Sequence, residues 1–119
     1  MAKDIIVKHI DTEKWIHKNS IEGKPFSFQE LIVDPDTGMF VRYYRYNAGT
    51  MTPLHTHHCS HGMFILEGTL LTNKGNLGPG NFIWFEEGCE GYHGASEDGD
   101  VICLFITNKP FDITFVDQK

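Results

Sequence analysis

The sequence has little of what would mark a nucleic-acid-binding, membrane-spanning or disulfide-stapled protein. Its 10 basic residues are outnumbered by 16 acidic ones, a net charge of −6, and no stretch gathers Lys and Arg onto a face that could neutralise a phosphate backbone. Nucleic acid is therefore not an expected partner. Long apolar runs are missing too. The opening Met1-Ala-Lys-Asp-Ile-Ile-Val-Lys8 has only three consecutive apolar residues, too few for a membrane span or for the hydrophobic region of a signal peptide. The expected location is the cytoplasm, without a membrane partner. Cysteine is scarce: Cys59, Cys89 and Cys103 are odd in number, far apart and without a Cys-x-x-Cys pair, so no disulfide framework, zinc ribbon or redox dithiol is indicated. Cys103, inside Val101-Ile-Cys-Leu-Phe-Ile106, reads as a core thiol; Cys59 lies among histidines, where a reactive thiol is the alternative, but the plain structural reading is favoured for both. No repeat, low-complexity tract or charge block divides the chain.

What is there speaks for strands. A chain of 119 residues has room for one core, so residues 1–119 are expected to form a single domain, with an N-terminal arm over 1–25 and a core barrel over about 26–116. Aromatic residues make up 13%, with Phe alone at 9. Runs rich in β-branched and aromatic residues predict strands at Phe26–Val33, Met39–Asn47, Met63–Leu66, Thr69–Thr72, Asn81–Phe85, Val101–Thr107 and Phe111–Phe115. Turn chemistry separates them: Asp34-Pro-Asp-Thr-Gly38, Asn73-Lys-Gly-Asn76, Gly78-Pro-Gly80, Ser96-Glu-Asp-Gly99 and Asn108-Lys-Pro110. The one stretch with another rhythm is Ile10–Asn19, read as a short helix or irregular arm with Trp15 and Ile16 on one side. Short strands with frequent turns predict an all-β sandwich, jelly roll or closed barrel, because closure removes sheet edges that so small a chain cannot otherwise cover.

The chemistry sits in the histidines. His55 and His57 are two apart, so in a strand both face one side, about 7 Å apart along the backbone. His61 has the same parity but would stand about 13 Å further on in an unbroken strand, too far for bonds of about 2 Å to a shared ion. The chain is therefore expected to turn at His58-Cys59-Ser60. Met63-Phe-Ile-Leu66 then leads back along a neighbouring strand, and His61 enters the site from across the ladder. His58 has the opposite parity and points out. His93, in Gly91-Tyr-His-Gly-Ala95, is expected to follow a strand and to be the fourth ligand, its flanking glycines letting the backbone come close to the ion. His9 and His17 read as surface residues.

These residues resemble the first motif of the cupin family, with Gly49, His55, His57, His61 and Gly68 at the motif's places and His61 where glutamate is usual. The second motif is similar to Gly80-Asn-Phe-Ile-Trp-Phe-Glu-Glu-Gly88 through His93, with Glu86 where proline is usual, two extra residues before the histidine, and Glu97 at the position of the usual asparagine. The resemblance covers Gly49 to His93. It implies an all-β double-stranded β-helix, or jelly-roll barrel, and a metal site of His55, His57, His61 and His93. An all-histidine shell looks like that of small metal-dependent dioxygenases, the acetylacetone-cleaving type among them, and of related sensory cupin domains. The fold also hosts isomerases and lyases, so it indicates the scaffold better than the reaction.

Neutral imidazoles suit one divalent transition metal, Fe, Ni, Zn, Co or Cu, and disfavour the oxygen-loving Mg and Ca. An octahedral Fe(II) would keep two positions for substrate and oxygen, whereas a tetrahedral zinc would be closed. Tyr44, Phe64, Trp84, Tyr92 and Phe105 are candidate pocket walls. Arg42 and Arg45 are an odd number of residues apart, so one of them points inward, as a substrate-carboxylate anchor or half of a buried ion pair. Glu67 and Glu86 are candidate proton acceptors. The expected function is a metal-dependent, dioxygenase-like oxidoreductase acting on a small polar or carbonyl compound. The alternatives are a non-catalytic metal or ligand sensor and a metal-assisted isomerase or lyase. A homodimer is expected, because sheet edges need cover.

Overall fold

Alternation of apolar and polar side chains between closely spaced turns gives strands that bury one face, and two such sheets bury their faces against each other. In the computed structural model, which describes residues 4–11, 14–19, 25–111 and 114–115, eleven strands follow one another: β1 (Ile16–Asn19), β2 (Pro25–Val33), β3 (Phe40–Tyr46), β4 (Met51–Thr56), β5 (His61–Glu67), β6 (Leu70–Thr72), β7 (Gly75–Leu77), β8 (Phe82–Phe85), β9 (Gly91–Ala95), β10 (Val101–Thr107) and β11 (Thr114–Phe115). They form a six-stranded sheet in the order β1-β2-β3-β10-β5-β8 and a five-stranded sheet in the order β11-β4-β9-β6-β7. All pairings are antiparallel. The fold is the all-β jelly roll that strand rhythm and turn spacing predict. Among the described residues no helix is long and apolar enough to cross a membrane.

The core lies between the sheets. From the larger sheet Phe28, Phe40, Tyr44, Tyr46, Met63, Ile65, Cys103 and Phe105 point inward; Leu70 and Ala95 meet them from the smaller one. Tyr44 shows how dense the aromatic filling is: its ring lies 5.4 Å from that of Phe26, 5.6 Å from Phe28 and 5.2 Å from Phe105. Burial pushes the Tyr44 and Tyr46 hydroxyls well above their ordinary value and the Cys103 thiol up to about 12, so Cys103 is a core thiol held protonated. Cys59 is buried as well.

Several expectations change. Among the described residues of Ile10–Asn19 there is no helix: residues 10, 11, 14 and 15 are irregular, positions 12 and 13 lie outside the described residues, and Ile16–Asn19 pairs with Pro25–Phe28 as an edge strand, because lone hydrogen-bonding edges outweigh the weak helical spacing of Trp15 and Ile16. Trp15 instead stacks on Tyr43 on the outer face of the larger sheet, ring centres 5.6 Å apart. The turn at Asn73-Lys-Gly-Asn76 is shorter than expected, since Gly75 already pairs with Thr72. In Phe111–Phe115 Phe111 is not in a strand, Thr114 and Phe115 are, and positions 112 and 113 lie outside the described residues.

Close strand approach makes one glycine critical. A Cβ on Gly94 in β9 would run into the Thr50 carbonyl and within 2.7 Å of the Met51 Cα in β4. Gly94→Ala is expected to lower stability by about 1–3 kcal/mol in urea denaturation. Gly99→Ala, at a position with open space around it, should change it by less than about 1 kcal/mol.

Candidate metal centre

Three of the four histidines come from the smaller sheet. His55 is in β4, His57 one residue past its end, and His93 inside β9 rather than after a strand as the glycine-rich sequence implied. Thr52 pairs with His93 and His55 with Gly91 across an irregularity in the ladder. Thr52 and His55 are an odd number apart and would face opposite sides of a regular strand. The bulge at Pro53-Leu54 turns His55 to the same side as His93, the usual effect of a bulge beside a site. Proline fits there because it has no N–H to place in the ladder. Its carbonyl has a use: His55 Nδ1–H donates to the Pro53 oxygen at 2.6 Å. A carbonyl can only accept, so the proton is on Nδ1 and the lone pair on Nε2.

His61 opens β5, in the other sheet. The turn at residues 58–60 thus crosses between sheets, where the sequence implied a return along a neighbouring strand of one ladder. The turn is well anchored. The Ser60 N–H donates to Asn108 Oδ1 at 2.9 Å, the Asn108 N–H to the Ser60 oxygen at 3.2 Å, and the Gly88 N–H to the His57 oxygen at 3.0 Å. The His61 ring lies between two parallel phenyl rings, Phe85 at 4.7 Å and 11°, and Phe105 at 5.1 Å and 15°. Phe111 covers His57 at 4.5 Å, and Tyr46 lies 5.5 Å from His93.

The four imidazoles form one cluster. Ring centres are 4.7 Å apart for His55–His57, 5.2 Å for His55–His93, 4.5 Å for His57–His61 and 6.3 Å for His61–His93. An ion bonded at about 2.1 Å lies roughly 3.2 Å from each ring centre, which puts two such rings about 4.5 Å apart at a right angle and about 6.4 Å apart in trans. The observed spacings fall in that range. As they stand, no group of three or more His, Cys, Asp or Glu side chains among the described residues is placed to hold a metal ion. All four side chains are buried. Both ring nitrogens of His61 and Nδ1 of His93 are buried with no hydrogen-bond partner among the described residues, which costs about 1–3 kcal/mol per group. The chemistry of the donor set therefore fits a transition-metal cation.

The charge state fits as well. Burial holds His93 well below the ordinary 6.5 and brings His61 down to about 3, with the neighbouring histidines adding to both. Burial also lowers His55; its bond to Pro53 works against this and His57 with it. Neutral imidazole is the form that ligates.

The other candidates are dispersed. Arg42, not Arg45, faces inward: its guanidinium lies 4.2 Å from the Phe28 ring and 3.9 Å from the Phe40 ring, and its Nε donates to Glu30 at 2.9 Å. Arg45 is on the outer face over Trp15. Phe105 stands against His61 and Tyr44 deeper in the core, while Phe64 and Trp84 are 38% and 41% exposed on the outer face. Tyr92 is half-buried beside His93. Glu67 and Glu86 are both exposed, and Glu86 accepts a hydrogen bond from the Ser60 hydroxyl at 3.4 Å. The glycines near His93 have close neighbours of their own. Gly91 makes room for the Phe85 ring, which a Cβ would meet at 2.6 Å, and Gly94 for β4. Sequence reading missed Phe85, Phe111 and Tyr46 around the cluster. For Phe85 the signal exists, since the alternation Phe82-Ile-Trp-Phe85 sends Ile83 and Phe85 inward.

Without metal, the buried rings tie stability to pH. Between 6.5 and about 3 the unfolded chain binds a proton at residue 61 that the folded chain refuses. This contribution is complete above 6.5 and declines as pH falls through that window. From pH 6.5 to 5 it is worth about 2 kcal/mol for this ring alone, and His55 and His93 act in the same direction. Urea denaturation of chelator-treated protein should show this slope, and His61→Phe should flatten it; equal slopes would remove His61 as a buried neutral ring.

No functionally curated protein matches the chain in sequence. Solved structures do match in fold. A cupin-like protein of Thermotoga maritima superposes with a TM-score of 0.73 at 16% identity, over 92% of this chain and 90% of that one. The polyketide cyclase RemF of Streptomyces resistomycificus gives 0.71 at 16%, over 96% and 88%. A chain of the Rhodobacter sphaeroides SigE–anti-sigma ChrR complex gives 0.66 at 20%, over 82% of this chain and 51% of that one. The sequence model of the ChrR cupin-like domain matches residues 3–112, nearly the whole length, and by that match the chain belongs to the ChrR cupin-like domain family of the cupin superfamily.

Proposed function

We propose that this cupin holds one divalent transition-metal ion through His55, His57, His61 and His93 and acts as a dioxygenase-like oxidoreductase on a small polar or carbonyl compound. The observation that carries the reading is the cluster of four buried imidazoles at 4.5–6.3 Å ring spacing, with His61 and His93 nitrogens that no described protein group satisfies. When bound, the ion would supply Lewis acidity and redox chemistry. The chain's own residues do the rest. Pro53 fixes the proton of His55 on Nδ1; Phe85 and Phe105 hold the plane of His61; Phe111, over His57, excludes water from that side. With neutral ligands and apolar walls, a small chelating carbonyl compound suits the site better than a multiply charged one.

A second reading has its own support. Arg42 is engaged by Glu30, and Glu67 and Glu86 are exposed, so a proton acceptor beside the cluster is lacking among the described carboxylates. That favours a metal sensor working through a protein partner, as the family likeness to ChrR, an anti-sigma protein seen in complex with SigE, also does. A metal-assisted isomerase or lyase would share the site and turn over without oxygen.

Elemental analysis of untagged protein purified without added metal is expected to find close to one transition-metal ion per chain. His61→Ala and His93→Ala should each weaken uptake by about tenfold or more. Metal content far below one ion, or uptake indifferent to both substitutions, would overturn the proposal. With metal bound, oxygen consumption by the Fe(II)-loaded protein with small diketones and phenolics separates the readings: uptake supports the oxidoreductase, and its absence across the panel the sensor.

A further inference from the structure

The aromatic rings that wall the histidine cluster are not all held alike. Phe85 ends β8, Phe105 lies within β10 and Tyr46 ends β3, so each belongs to a hydrogen-bonded ladder. They are 8%, 2% and 5% exposed. Phe111 belongs to no strand and is 38% exposed. Displacing any of the first three would open the packed core, whereas the Phe111 ring already has water on one side.

The chain leading to Phe111 is nevertheless fixed at three successive residues. Asn108 exchanges hydrogen bonds with Ser60 in the turn that carries His61 across, at 2.9 and 3.2 Å. The Lys109 ammonium donates to Glu87 at 2.7 Å. Pro110 packs on Gly38, where a Cβ would run into the proline ring. Residues 108–110 thus deliver the phenyl ring to one spot, and its side-chain torsions are the part left to move.

At that spot the Phe111 ring lies 4.5 Å from His57 and 6.1 Å from His61, and it meets Phe105 at 5.4 Å and Phe40 at 5.8 Å. A carbon compound lying between two rings needs about 7 Å, two contact distances of about 3.5 Å each. The gap to His57 is too small for one. An organic molecule reaches this side of His57 only when the ring swings out towards water. Rotation of exposed side chains takes picoseconds to nanoseconds, so entry depends on how often the ring is out and not on how fast it moves.

We infer that Phe111 is the residue that controls entry to the histidine cluster, its phenyl ring closing the site at rest and admitting ligands beside His57 when it rotates outward. The inference rests on the reading of the four histidines as a ligand-holding site.

Ethoxycarbonylation by diethyl pyrocarbonate, mapped by peptide mass spectrometry on chelator-treated protein, reads entry at each histidine. In the parent, exposed His9 should react fast and His57 slowly. A minor open state is populated at roughly 0.1–10%, so Phe111→Ala should raise the His57 rate by about tenfold or more and leave His9 unchanged. His61, between Phe85 and Phe105, should stay slow. Phe111→Trp restores an aromatic ring and should keep His57 slow, and the far-UV circular dichroism of both variants should match the parent. Cobalt(II) uptake, followed by its visible absorption, should be faster in Phe111→Ala and reach the parent's final extent. A parent His57 as reactive as His9, a His57 rate unmoved in folded Phe111→Ala or raised equally by Phe111→Trp, or cobalt uptake no faster without the ring would each overturn the inference. If no variant takes up cobalt, metal binding itself is refuted, and the His57 rates still decide whether Phe111 guards the cluster.

Discussion

The desolvation of four imidazole rings is the constraint on which the site depends. A barrel end buries His55, His57, His61 and His93 among phenyl rings, and burial drives His61 and His93 far below the ordinary histidine range and lowers His55 as well. Neutral rings in an apolar pocket have lone pairs that water cannot reach. A cation with directional preference for nitrogen meets that demand, whereas a proton shared among the rings would put a charge where the surroundings penalise it. The surrounding architecture serves this arrangement: the Pro53 bulge aims His55, the anchored turn at residues 58–60 carries His61 across to the facing sheet, and Phe85 and Phe105 leave its ring no other plane.

Placing the four histidines on both sheets also ties the cluster to the core. A metal bridging the two layers would cross-link the jelly roll at one end. The aromatic stack of Phe28, Tyr44 and Phe105 fills the space behind it. Arg42 is part of that filling: paired with Glu30 and lying over two phenyl rings, it contributes packing and an ion pair. Its stem and guanidinium plane suit such a position better than a lysine would.

The all-β class, the chain's division into short strands and turns, and the histidines themselves could be read from residues in a row. Period-two alternation and turn chemistry are local properties, and strands leave their mark directly in them. The edge strand at Ile16–Asn19 could not be read, because its four residues become a strand only by pairing with β2. Likewise Gly91 and Gly94 are recognisable as exceptional in sequence, but what presses on them, the Phe85 ring and the β4 backbone, belongs to distant parts of the chain.

By itself the sequence determined that the chemistry-bearing side chains are histidines and that His55 and His57 share a side, since spacing along a strand fixes facing. Tertiary structure alone decided that His61 arrives from the opposite sheet, that His93 lies within β9, that Arg42 rather than Arg45 turns inward, and that Phe64 and Trp84 face away from the cluster. The reason is physical. Parity gives two possible faces, and only the packing of one sheet on another determines which face is inside.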